Sequence, residues 1–205
     1  MPRFKTFPYL LKKAVLVIFL SVLMAVFFVP DSGADGFSEN TEGVLPEFGK
    51  GAVAVRMYSN YFCGPCRAME PDVEPVLREL VENERIRVTF IDIPTPRSMP
   101  YVHYFLYALN ENNNMEYALK IRGILFDLAG KRGGGEEIRQ SLAEKDIGIK
   151  PYDLTGVFER FNEHLQADAV RSTPTAVIDD GTEIRMHTGS ADILTALGEI
   201  AGGAE

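Results

Sequence analysis

The chain has 205 residues, 46% of them hydrophobic and 24% charged, the balance of an ordinary globular protein with room for one substantial core. Its net charge is −8; residues 1–30 hold Arg3, Lys5, Lys12 and Lys13 and no acid, so the remainder carries −12. That acidic body argues against a nucleic-acid partner, which needs a basic surface.

Residues 14–29, AVLVIFLSVLMAVFFV, form an apolar run broken only by Ser21, with basic residues before it and Asp31 and Asp35 after it. The charge asymmetry predicts a cytoplasmic N-terminus and an exported remainder. The run is long for a signal-peptide core and short for a spanning helix. Residues 1–34 are therefore read as a membrane anchor, the preferred reading, or as a signal peptide cleaved near Ala34 in Ser32-Gly33-Ala34. Either way the rest works where disulfides persist. The polar stretch 35–50 reads as a flexible linker, and residues 51–204 as the working domain.

Residues 52–58 predict a buried strand. After YFCGPC, the residues Met69, Val73, Val76, Leu77 and Leu80 recur at helical spacing, and Pro71 and Pro75 predict a kink near the second turn. Residues 86–93 predict a second strand, which makes a right-handed βαβ crossover. The section from about 96 to 169 reads as helical, with candidates at 101–110, 115–129, 136–146 and 153–167. Gly133-Gly134-Gly135 lacks the lysine and the preceding strand of a phosphate loop and reads as an interhelical turn. Strands at Thr175–Asp179 and Glu183–His187 follow, joined by an Asp180-Gly181 hairpin turn, and Asp192–Ile200 predicts a last helix.

The two cysteines, Cys63 and Cys66, sit in one tetrapeptide and cannot clamp distant segments. A structural disulfide across so short a loop would add little stability. A zinc site would need a second pair of ligands, and His103, His164 and His187 are scattered and read as surface or structural residues. No metal or cofactor is therefore expected. A cysteine at a helix N-terminus has its thiolate favoured by unpaired backbone N–H groups and the helix dipole. Two intervening residues let the sulfurs meet, with Cys63 as the attacking thiol and Cys66 as its resolving partner. Pro65 falls in the first turn, where a missing N–H costs least, and Gly64 leaves the approach to Cys63 open.

YFCGPCRAMEP resembles the thioredoxin active site, including a proline five residues after the second cysteine, here Pro71. Arg171-Ser172-Thr173-Pro174-Thr175 resembles the cis-proline loop of that superfamily. The helical block between the second strand and this loop resembles the DsbA branch. The resemblance implies an α/β thioredoxin fold with a helical insertion between its βαβ and ββα halves. It implies that Pro174 faces the cysteines and that the backbone at Thr173 pairs with the substrate as an extra strand. It implies protein thiol or disulfide substrates, a membrane or soluble redox partner, and a periplasmic domain in a bacterial envelope. Three departures bear on direction: the dipeptide is Gly-Pro rather than Pro-His, Met57 replaces the usual buried acid, and Phe62 replaces tryptophan. Glu70 and Glu74 are the acids nearest in sequence. Oxidant, reductant and isomerase stay open. The competing reading is a thiol metallochaperone or a redox-inactive chaperone on the same fold.

Overall fold

The structure, a computed structural model, describes residues 45–203. The expected anchor or signal peptide and most of the expected linker lie outside the described residues. Among those described, no helix is long and apolar enough to cross a membrane.

A five-stranded sheet forms the centre. In chain order its strands are β1 (Glu47–Phe48), β2 (Val53–Ser59), β3 (Ile86–Asp92), β4 (Thr175–Asp179) and β5 (Ile184–Thr188). Their spatial order is β1-β3-β2-β4-β5; β2 and β3 run parallel and every other pair antiparallel. Helix α1 (Gly64–Glu82) makes the β2–β3 crossover. Helices α2 (Met99–Glu111), α3 (Met115–Lys131), α4 (Gly135–Ala143) and α5 (Thr155–Ala167) fill the interval before β4, and α6 (Ser190–Gly202) closes the chain. This is the thioredoxin fold with the expected helical insertion.

The helices follow their apolar periodicity. Met69, Val73, Leu77 and Leu80 bury one stripe of α1, while Ala118, Ile121 and Leu125 do so on α3. Helix α1 runs unbroken through Pro71 and Pro75, although each ring removes an N–H that would bond the carbonyl four residues earlier. Local caps set other ends: the Asn114 side chain accepts from the Tyr117 N–H at 2.8 Å, and Arg132 takes a left-handed φ of 61° after α3.

Two expectations are corrected. Glu47 and Phe48 fall in the stretch read as linker, yet they pair with Thr89 and Val88 of β3. Phe48 is buried with its ring 5.9 Å from that of Phe90. A two-residue strand carries no periodicity, so only the unpaired edge of β3 reveals it. The chain reaches that edge because Gly51 has no side chain: a Cβ there would lie 2.1 Å from the backbone of Arg85 and Ile86. The β4–β5 hairpin is also wider than expected. Asp179 pairs with Ile184, leaving a four-residue turn in place of Asp180-Gly181 alone. The Asp180 carboxylate accepts from the backbone N–H groups of Thr182 and Glu183 and from the Thr182 hydroxyl, which hold its pKa down at about 2.

A charge buried in the core ties the insertion to the sheet. Arg122 of α3 is only 2% exposed. Its Nε donates to Glu70 of α1 at 2.7 Å, Nη1 to Asp92 of β3 at 3.1 Å, and Nη2 to Ser59 of β2 at 3.2 Å. The Ser59 and Tyr61 hydroxyls donate to Asp92 at 2.5 and 2.9 Å. The guanidinium also lies 4.3 Å from the Phe90 ring centroid. Burial works against the charge, but Glu70 and Asp92 outweigh it and raise the arginine pKa further. A second link joins the turn after α5 to β2: Asp168 accepts from Arg56 at 2.6 and 2.9 Å and from the Tyr58 hydroxyl at 2.5 Å. Burial would raise the Asp168 carboxyl, but Arg56 and Tyr58 hold it below the ordinary range.

Replacing Arg122 by methionine leaves two buried carboxylates uncompensated, so urea denaturation should show a loss of about 3–5 kcal/mol; a loss under about 1 kcal/mol would mean the cluster does not hold the insertion. Asp168→Asn should cost about 1.5–3 kcal/mol at neutral pH. A depressed carboxyl pKa stabilises the fold above the unfolded value and loses that effect as pH falls through the folded one. The gap between wild type and Asp168→Asn should therefore close below about pH 3.9. A gap that stays constant through that acid range would contradict the assignment.

Candidate functional site

The candidate site forms where the β2–α1 turn meets the loop before β4. Asn60 shapes the turn: its side-chain oxygen accepts from the Phe62 N–H at 2.9 Å, and its carbonyl accepts from the Cys63 N–H at 2.9 Å. The Asn60 amide donates to the Ile93 carbonyl at 2.9 Å and to Ser98 at 3.1 Å, which fixes the turn to the loop after β3.

Cys63 therefore arrives as the N-cap of α1, with extended backbone angles of −80° and 114°. Its sulfur accepts from the Cys66 N–H at 3.1 Å. Cys63 and Cys66 are joined in a disulfide with their Cα atoms 5.3 Å apart. The two sulfurs are unequal in access: Cys63 is half-buried, whereas Cys66 is fully buried. Gly64 and Pro65 are exposed, Pro65 sits in the first turn of α1, and a Cβ on Gly64 would meet nothing within 4 Å. Phe62 packs edge-on to Tyr101 with ring centroids 5.2 Å apart.

The tertiary fold brings Thr173 and Pro174 to the same place. Their peptide bond is cis, and the Thr173 carbonyl oxygen lies 3.4 Å from Cys63 Sγ. In the disulfide that sulfur carries no hydrogen, so this is a close approach; on reduction the thiol becomes a potential donor there. The loop is held from behind. The Gly189 N–H donates to the Pro174 carbonyl at 3.0 Å, and Ser190 reaches the Pro65 carbonyl at 3.4 Å. Among the described residues, the Thr173 backbone makes no backbone hydrogen bond. A groove of about 530 Å³ opens beside Cys63, with Phe62, Ile93, Leu165 and Val170 as its apolar lining.

Met57 is buried in β2. Glu70 lies one turn beyond Cys66 on the inner face of α1 and is committed to Arg122, while Glu74 is half-buried and pairs with Arg78 at 2.7 Å. The histidines stay apart. His103 packs against Phe158 and Tyr107, His187 meets Asp192 at 3.1 Å, and burial followed by Arg56 lowers the His164 pKa. Among the described residues, no group of three or more His, Cys, Asp or Glu side chains could hold a metal ion.

Asn60 and Arg97, whose guanidinium stands 4.0 Å from the Phe62 ring centroid, were not singled out in the sequence, and Arg171 was named there only as part of the proline loop. Asn60, three residues before Cys63, carried a readable turn signal. The two arginines are distant in sequence, and only the fold sets Arg171 on the groove and Arg97 over the Phe62 ring that lines it.

The thioredoxin family profile matches residues 49–197. No curated protein matches the sequence. Solved structures share the fold. Alpha-DsbA1 of Wolbachia pipientis superposes with a TM-score of 0.58 at 12% identity, over 78% of this chain and 94% of that one. A periplasmic thioredoxin-like protein from Salmonella enterica serovar Typhimurium gives 0.57 at 18% identity, over 80% and 94%. A linker-deletion variant of ScsC from Proteus mirabilis gives 0.60 at 15% identity, over 97% and 89%. With its CGPC pair at the start of α1 and its cis-proline loop beside it, the chain belongs to the thioredoxin family.

Proposed function

We propose that this protein is a thiol–disulfide oxidoreductase acting on protein substrates outside the cytoplasm. The observation that carries the reading is the unequal access of two linked sulfurs. Cys63 faces the groove at a helix N-terminus, and Cys66 lies sealed behind it. Reduced Cys63 is favoured as a thiolate by the N-terminal N–H groups of α1, the Cys66 N–H foremost.

In the reducing direction, the Cys63 thiolate attacks one sulfur of a substrate disulfide. That S–S bond breaks, the departing sulfur leaves as a thiolate that takes a proton from water, and a mixed disulfide forms. The Cys66 thiol then loses its proton and attacks the Cys63 sulfur, releasing the second substrate thiolate, which is protonated in turn. The substrate has gained two electrons and two protons, and Cys63–Cys66 is the disulfide seen here. The oxidising direction reverses each step. The free Thr173 backbone supports main-chain pairing with an extended substrate segment. The exported setting is supported by the apolar run at 14–29 and by the periplasmic origin of one structural neighbour.

The wild-type protein should reduce insulin disulfides with a thiol regenerant, and Cys63→Ser should fall to the uncatalysed rate. Cys66→Ser should accumulate a mixed disulfide through Cys63, seen as a mass increase that dithiothreitol removes. Tight Cu(I) binding by a wild type that exchanges no disulfide would favour the metallochaperone reading instead, and full turnover by Cys63→Ser would remove Cys63 as the attacking thiol. Equilibration against glutathione separates the directions: a potential near about −270 mV marks a reductant and one near about −120 mV an oxidant.

A further inference from the structure

Resting on the disulfide-exchange reading, we propose that the groove selects protein substrates carrying an acidic side chain beside the reacting cysteine. The apolar groove commits to one occupant by its charge. Arg171 lines it next to Cys63 and Thr173 and is exposed. Arg97 is also exposed, and its guanidinium stands 4.0 Å from the ring centroid of Phe62, the residue that precedes Cys63.

Arg56, Arg78, Arg122, Arg139, Arg160 and Arg185 each meet a carboxylate, whereas among the described residues Arg97 and Arg171, like Arg67, Arg85, Arg87 and Arg132, have no ion-pair partner. No carboxylate lines the groove. Asp168, the acid nearest Arg171 in sequence, is held by Arg56 and Tyr58. This positive rim stands on a chain whose net charge is −8. Stacking on Phe62 occupies one face of the Arg97 guanidinium and leaves its N–H edge free for a carboxylate. An extended segment paired with the Thr173 backbone would carry its flanking side chains along this rim, so a glutamate or aspartate there is attracted and a lysine repelled.

The test uses two peptide disulfides that differ only in Glu or Lys on both sides of the reacting half-cystine, and it reads kcat/KM with the full chain. The wild type should prefer the Glu peptide by about fivefold or more, as expected for a pair of solvent-facing ionic contacts. That preference should shrink as ionic strength rises from about 0.05 M to about 0.5 M. The double variant Arg97→Gln/Arg171→Gln should bring the two peptides to similar values, chiefly through KM. The double variant Arg97→Glu/Arg171→Glu should reverse the preference. Equal turnover of both peptides by the wild type overturns the inference and leaves the exchange reading standing. So does a double variant that slows both peptides by one factor, since the arginines would then act on the sulfur. No exchange with either peptide overturns the exchange reading itself.

Discussion

Burying the Arg122 guanidinium is feasible only because Glu70, Asp92 and Ser59 meet it from three elements of the sheet-and-crossover core. A lone charge at that depth would be prohibitively expensive. Once all four side chains are placed, the position of α3 over α1 is set by directional bonds as well as by apolar packing. Among the described residues, no buried side-chain nitrogen or oxygen goes without a partner. The helical insertion is thus integrated with the thioredoxin core and not merely laid against it.

The same region positions the reactive turn. Ser59, which receives Arg122, ends β2, and Asn60, Tyr61 and Phe62 follow before Cys63. Tyr61 donates to Asp92, and its burial, followed by that carboxylate, pushes the phenol pKa well above its usual value. The chain leaving the buried cluster is therefore constrained within four residues of the first cysteine. On the opposite side, α6 reaches the site through Gly189 and Ser190, which contact the Pro174 and Pro65 carbonyls. Two independent supports converge on the Cys63–Cys66 pair, one polar and buried, one at a helix start.

Charge is distributed against this frame. The surface is acidic overall, and several arginines are neutralised locally. Among the described residues Arg97 and Arg171 have no ion-pair partner, one lying over the Phe62 ring and one in the cis-proline loop that lines the groove. The site therefore combines an apolar groove, a Thr173 backbone that makes no backbone hydrogen bond among the described residues, and arginine charge at its edge. In the proposed exchange each would meet a different part of a substrate segment: side-chain burial, main-chain pairing and charge.

Much of this was legible in the sequence because it is local. Cys63-Gly64-Pro65-Cys66 announces its chemistry through spacing, the stripe Met69, Val73, Leu77 and Leu80 announces a helix face, and the Thr173-Pro174 pair is recognisable by family resemblance. What stayed hidden depends on contacts between distant residues. Arg122 interrupts an apolar stripe as any solvent-facing residue might, and its 52-residue separation from Glu70 leaves no periodic trace. Phe48 is a core residue in a strand of two, too short to pattern. Arg97 and Arg171 look like ordinary surface cations until the fold sets Arg171 on the groove and Arg97 over the Phe62 ring that lines it. The sequence by itself determined the adjacent cysteine pair, the order of the helices and of every strand but β1, and the insertion. Tertiary structure alone decided which buried charges meet, which edge captures the polar N-terminal stretch and which sign of charge faces the reactive sulfur, because long-range electrostatics and edge pairing depend on distances that local patterns do not encode.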